Sequence, residues 1–437
     1  MAVSAPALHD ALAQIVGPEH VIDDCTALAR HAVDGITPRW VVRPGNVNAV
    51  GDLMTLAHAE RLAVAPRGSG SSLQLGNPPR RLDLVLDLTR LSALVDYVPE
   101  DLVATVQAGL SLGVLNTRLA EGGQMLALDP FGGARRTIGG ILASNASGPS
   151  RLRYGSPRDV LLGVRFVQAD GTITWGGSRV VKSVTGYDVP KLLVGSLGTL
   201  GVIVEATLRL HPIQPSSRSW LFLLNTCEAA ASFVAALLDS PLEPDRVTLL
   251  NREASRACGH MGRGPALLVS ISSVKEAVES QGAALARLGS SHGATSRAVA
   301  ASMWEALGQA LTAPVLLRLS CESKRVVSWL DEVERRTSSL DLRAAVVAQP
   351  ASATLHCALD GPLPTATTLH DELLAPLRKG LAPEGGSVVV EHAPDSLKSA
   401  LDVWGPITPE VFAIMSNLKR EFDPGGVLNP GRFVGGL

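Results

Sequence analysis

Four glycine-dense segments, 67–76, 130–155, 195–201 and 425–431, are the parts of this chain best suited to holding an anion. Glycine lets the backbone approach a ligand closely and take positive φ, so that consecutive N–H groups converge on one phosphate. Ordinary turns are the alternative for any one of them. Spacing excludes two familiar cradles. Gly68-Ser-Gly-Ser-Ser-Leu73 has leucine where the dinucleotide fingerprint needs its third glycine, and no helix pattern opens directly behind it. No G-x-x-x-x-G-K-[ST] segment occurs, so the P-loop is excluded as well.

Groups that could move protons or hold charge are sparser. His356 and His392, the latter beside Glu391, could act as bases or ligands; a strand-edge histidine and a solvated acid are the alternative. Arg135-Arg136 could bind a carboxylate or form an exposed loop pair. The five cysteines, Cys25, Cys227, Cys258, Cys321 and Cys357, lie far outside C-x-x-C spacing. They predict free thiols in a reducing compartment, no metal site and no iron–sulfur cluster held by this chain.

The elements that must position these groups fill 437 residues, 46% hydrophobic and 4% aromatic, a length for two or three domains. A net charge of −2 argues against nucleic acid. The first ten residues lack a signal-peptide pattern, and uncharged stretches such as 102–117 and 344–359 are too short and interrupted to span a bilayer. The expected location is cytoplasmic, with peripheral attachment at the inner face of the membrane only through partners. Apolar spacing predicts a capped helix over 47–61, strands near 62–66, 82–88, 102–108, 161–168 and 201–210, and a helix from Ser111 to about Ala120. Beyond Pro212–Ser217, helices near 228–238, 274–288 and 325–336 alternate with strands near 266–271 and 315–319. A helix over 409–422 precedes an irregular end. The divisions expected are an N-terminal segment 1–37, a first domain 38–215, a second 216–395 and a C-terminal segment 396–437.

The order of the motifs says more than any one of them. Pro66-Arg-Gly-Ser-Gly-Ser71, Asp129-Pro-Phe-Gly132, Thr137-Ile-Gly-Gly-Ile-Leu-Ala-Ser-Asn-Ala-Ser-Gly148, Arg153-Tyr-Gly155, Gly195–Ile203 and Asn429-Pro-Gly-Arg432 follow one another. This series resembles the FAD-binding domain of the vanillyl-alcohol oxidase (PCMH-type) flavoproteins. More narrowly, Lys182-Ser-Val-Thr-Gly-Tyr-Asp188 and Asp402-Val-Trp-Gly-Pro406 resemble the FAD-binding subunits of bacterial glycolate oxidase (glycolate dehydrogenase). The resemblance implies an α+β fold: a two-subdomain FAD-binding domain, an α/β cap, and a C-terminal tail returning to the flavin. It implies that Arg67, Gly68, Ser69, Gly70, Ser71 and Ser72 cradle the pyrophosphate, and that Pro66, Gly76 and Asn77 also belong to the cofactor site. Pro130, Thr137, Ile138, Gly139, Gly140, Ser144, Asn145, Gly148 and Tyr154 would wall the flavin and ribityl chain. Gly198, Gly201, Ile203 and Asn429 would complete the site, and Lys182 and Tyr187 would lie near the flavin, in packing or as candidates for catalysis. Serines stand where covalently flavinylated relatives often carry histidine, so non-covalent FAD is expected.

The related hydroxyacid dehydrogenases carry a cap segment His-x-Gly-Asp-Gly-Asn, where this chain has Gln349-Pro-Ala-Ser-Ala-Thr-Leu-His356. That departure, with the scattered cysteines, leads to the expectation of a glycolate-oxidising complex containing a related FAD-linked subunit and an iron–sulfur subunit. A stand-alone D-lactate-like dehydrogenase and a non-catalytic scaffold are the alternatives.

Overall fold

The computed structural model describes residues 5–178, 187–260 and 262–437, so 182–186 of the motif ending at Asp188 lie outside the described residues. The first half contains two sheets of different character. Trp40–Val42, Leu84–Asp87 and Val64–Arg67 form a small parallel sheet, extended at one edge by the antiparallel strand Val21–Ile22. Its strands are almost wholly apolar because both faces are covered, one by helices Ala5–Val16 and Val47–Ala59 and the other by Leu28, Val33 and Leu82. Asn46 caps the latter helix by accepting the Ala49 N–H. Five antiparallel strands follow, in the order Leu94–Val98, Val103–Gln107, Val202–Arg209, Leu161–Val167 and Ile173–Gly177. Helix Leu112–Ala120, capped by Ser111, packs against this second sheet together with helix Ile138–Ser144.

The chain then enters an eight-stranded antiparallel sheet. Its central strands read Arg246–Leu250, Arg343–Gln349, Thr354–Asp360, Val315–Ser320 and, at the edge, Ser387–His392. Alternation along these strands divides the cap. Leu317, Leu319, Leu355, Cys357 and Leu359 point into a core beneath helices Cys227–Leu238 and Val326–Ser338. Their neighbours Leu316, Arg318, Thr354 and His356 therefore point the other way, toward the first half of the chain. The described helices include none long and apolar enough to cross a membrane.

The end of the chain returns to its beginning. After helix Pro409–Phe422, Val427 and Leu428 enter the core of the parallel sheet. Val64 donates its N–H to Val427 O at 2.8 Å, and Asn429 donates to Val64 O at 2.9 Å. The irregular tail is thereby fixed beside the strand that leads into the first glycine loop.

Candidate active site

A cleft with about 800 Å³ of open space, its mouth included, runs between the two sheets of the first half. One side is the loop Pro66–Leu73, which leaves the parallel strand Val64–Arg67; the opposite side is the first turn of helix Ile138–Ser144. The two come so close that a Cβ at Gly68 would stand 2.0 Å from Thr137 Oγ1. That oxygen is committed as the helix cap, accepting the Gly140 N–H. Leu73, Leu75, Leu88, Leu197 and Ile203 supply apolar surface, and Asn429 of the tail supplies a polar edge. Arg67 is the cation at the loop. Its Nη1 lies 2.7 Å from His31 Nδ1, and its buried Nε has no protein partner. Burial and then the Arg67 charge lower the His31 pKa, which keeps His31 neutral and able to accept that bond. Bare glycine and serine backbone, one cation with an unused donor, and an apolar wall suit a dinucleotide with a pyrophosphate and flat rings. FAD fits this cleft.

A second cavity opens from the same loop, sharing Ser71, Ser72, Leu75 and Ser144 with the cleft. Its far wall is the cap sheet: Leu316, Arg318, Gln349, Thr354, His356, Glu391 and His392. Arg318 and His356 are directly paired across adjacent strands, so their side chains leave the sheet on one face. Glu391 and His392 are consecutive, and alternation alone would send them to opposite faces. The register shift opposite Leu316–Leu317 breaks that alternation, and both reach the cavity. On the near wall, Arg136 donates from Nε to Phe131 O at 2.9 Å and from Nη1 to Ser72 Oγ at 2.8 Å.

The charges in this cavity are uneven. Arg136, Arg151 and Arg318 face one carboxylate, Glu391, which pairs with Arg318 Nε at 2.8 Å. Burial pushes the His356 pKa down to about 4, against the pull of Glu391 and with the help of Arg318 and Arg136. His392 is also lowered, first by burial and then by the Lys398 charge. Both imidazoles are neutral at pH 7, and the buried Nδ1 of each has no protein partner. His356 packs edge-on against Phe131, with ring centroids 5.1 Å apart.

Most residues expected to surround a cofactor line these two spaces. Pro66, Arg67, Gly68, Ser69, Gly70, Thr137, Gly139, Gly140, Gly198, Gly201, Ile203 and Asn429 line the cleft. Ser71, Ser72 and Ser144 line both spaces, and Pro130, Asn145, His356 and His392 line the second. Six do not reach either one. Gly76 lies under the Arg432 carbonyl and Asn77 bonds the tail at Gly431 and Phe433. Gly148 is pressed against the Asp129 carbonyl, Ile138 lies in the core, and Tyr154 is buried against His211. Tyr187 is 97% exposed. Arg135 is exposed and outside both spaces, whereas its neighbour Arg136 lines the second. Arg318 and Gln349 were not singled out as site residues. Arginine inside the strand Val315–Ser320, with leucine on both sides, was the available signal for the first.

Comparison with known proteins agrees with this geometry. A profile described as an FAD binding domain matches residues 38–177, and one described as the C-terminal domain of FAD linked oxidases matches 213–433. The glycolate oxidase subunit GlcD of Bacillus subtilis (strain 168) is 27% identical, covering 96% of this chain and 95% of that protein. A probable mitochondrial D-lactate dehydrogenase of Danio rerio is 28% identical, covering 91% and 84%. Among solved structures, p-cresol methylhydroxylase with substrate bound shares the fold, with a TM-score of 0.78 at 16% identity over 97% of this chain and 96% of that one. The glycine-walled cleft, the PCMH-type fold and the two matched domains together place the chain in the FAD-linked oxidase family, as an FAD-dependent oxidoreductase.

Proposed function

We propose that this oxidoreductase converts a small 2-hydroxy acid to its 2-oxo acid, with glycolate to glyoxylate as the preferred reaction. It would do so as the FAD-binding subunit of a complex that passes the electrons to an iron–sulfur partner. The observation that carries the first part is the junction of the two spaces. The cofactor cleft shares four residues with a cavity in which three guanidinium groups face one carboxylate, so an anion drawn into the cavity lies beside the cofactor. Bound FAD supplies the acceptor for the hydride that leaves C2. The chain's own residues must hold the acid and take the hydroxyl proton.

His356 suits that proton. It is neutral, buried and unpartnered at Nδ1. A base this weak gains strength when an anionic substrate arrives, because a neighbouring carboxylate favours the imidazolium form. Phe131, Leu311 and Leu316 give the same cavity an apolar side. The near-full-length glycolate oxidase relative supports the choice of glycolate. The complex is supported by the thiols: among the described residues no group of three or more His, Cys, Asp or Glu side chains is placed to hold a metal, and the five cysteines are free. Electrons that leave the flavin for a cluster would therefore pass to one held outside the described residues.

The test is anaerobic mixing of the FAD-loaded protein with glycolate, D-lactate and L-lactate while the oxidised-flavin absorbance is followed. Loss of that absorbance with glycolate is expected, and no loss with any 2-hydroxy acid would reject the reaction. Purification under mild conditions addresses the partner. Recovery of an iron–sulfur protein in fixed proportion is expected, and a chain that always emerges alone would reject the complex.

A further inference from the structure

Building on that reading, we propose that Arg136 and Arg318 together clamp the substrate carboxylate in place of a divalent metal, and that Glu391 is the residue positioning Arg318. The two arginines come from opposite walls: Arg136 follows the turn Gly133–Arg135 of the first half, and Arg318 stands on the cap strand Val315–Ser320. Each is held through part of its guanidinium group. Arg136 spends Nε on Phe131 O and Nη1 on Ser72 Oγ. Arg318 Nε lies 2.8 Å from a Glu391 carboxylate oxygen, an ion pair without the alignment of a hydrogen bond. The remaining Nη donors have no protein partner among the described residues, and they border one cavity. A planar carboxylate bridging them would meet donors of matching geometry.

The donor set argues for guanidinium over metal. A divalent cation at this wall would find Glu391, already paired with Arg318, and the imidazoles of His356 and His392, which are not placed with it as a metal-holding group among the described residues, and it would sit among three positive side chains. Gln349, whose Nε2 is buried without a partner, offers an amide where an anionic or imidazole ligand would be needed. A carboxylate on Arg318 also explains the placement of His356, its direct cross-strand neighbour. The acid group and the hydroxyl proton of one small molecule would then be served by adjacent side chains.

Oxalate, a dicarboxylate that cannot be oxidised at a C2 hydroxyl, separates the clamp from the reaction. Its binding to the FAD-loaded protein is measured by calorimetry, with FAD content recorded for every variant. Arg318→Met and Arg136→Met should each weaken oxalate binding at least tenfold while FAD is retained. Arg318→Lys and Arg136→Lys provide milder variants should either truncation fail to fold, and several-fold weakening is expected because the fork is lost. Glu391→Gln should raise KM for glycolate at least fivefold with kcat within twofold, and Glu391→Asp should recover part of that loss. Prior treatment with a chelator should leave the oxalate affinity unchanged. Oxalate binding that disappears on chelation and returns with zinc or manganese would overturn the proposal, as would binding indifferent to all four arginine variants. Arginine-dependent oxalate binding in a protein whose flavin no 2-hydroxy acid reduces would support the clamp and reject the oxidation.

Discussion

A methyl group at position 68 has nowhere to go, because the oxygen it would meet caps the helix on the far side of the cleft. Gly68→Ala should therefore push the Pro66–Leu73 loop and the helix start apart. We expect FAD to bind at least tenfold more weakly, about 1.4 kcal/mol, with little change in the melting of the cofactor-free protein. Unaltered FAD affinity by flavin-fluorescence titration would show that the loop does not grip the cofactor. Positions of this kind were legible in the sequence because close backbone approach demands glycine at fixed places. The same rule also selected Gly76 and Gly148, which meet other backbone instead of the cleft, since a glycine does not say what it lies against. Arg318 was harder to find. Its strand has the composition of a core strand, and only the fold shows that one face of the cap sheet is turned toward a cavity.

At the scale of elements, the first glycine loop is anchored by residues far away in sequence. Asp34 receives Lys398 Nζ at 2.6 Å on one oxygen and Arg432 Nη1 on the other, and all three side chains are at most 4% exposed. Lys398 also donates to Gln74 O, and Arg432 to the carbonyls of Leu73, Leu75 and Asn77. Burial lowers the Lys398 pKa to about 8 against the pull of Asp34. One carboxylate thus ties the N-terminal segment, the glycine loop, the end of the cap and the tail together. Asp34→Asn leaves two buried cations without their counterion and should cost about 3–5 kcal/mol. Lys398→Met should cost less, because Arg432 still satisfies Asp34. Urea unfolding of both variants checks the order, and a loss below 1 kcal/mol for Asp34→Asn would remove this network as the anchor. The strand–helix alternation was readable from spacing, and the return of the tail only from the resemblance to the PCMH-type flavoproteins. The network was not, because pairing across more than 300 residues leaves no local periodicity.

The two halves of the molecule also meet through titratable groups, and these give stability an opposed pH dependence. Asp129, on the loop before Pro130, accepts from Ser150 N and Oγ and lies 3.6 Å from Arg246 of the cap. Burial nevertheless raises its pKa from 3.8 to about 6, so between pH 4 and 6 the folded protein holds a proton that the unfolded chain has released. That contribution to stability is present at low pH and is lost as pH rises through 6. His356 behaves in the reverse sense. With its pKa lowered from 6.5 to about 4, the unfolded chain binds the extra proton, and stability present above pH 6.5 is lost as pH falls toward 4. The two slopes oppose one another over the same range in the unaltered protein. Each is at most about 1.4 kcal/mol per pH unit, and that of Asp129 is smaller because its side chain is 27% exposed and partly screened. Removing one group should expose the other. Asp129→Asn should lose stability on acidification from pH 6.5 to 4, whereas His356→Gln should gain it between pH 6 and 4, each relative to the unaltered protein. Urea midpoints measured across that interval decide the matter: profiles parallel to the unaltered protein in both variants would mean that neither group carries its proton differently in the folded state.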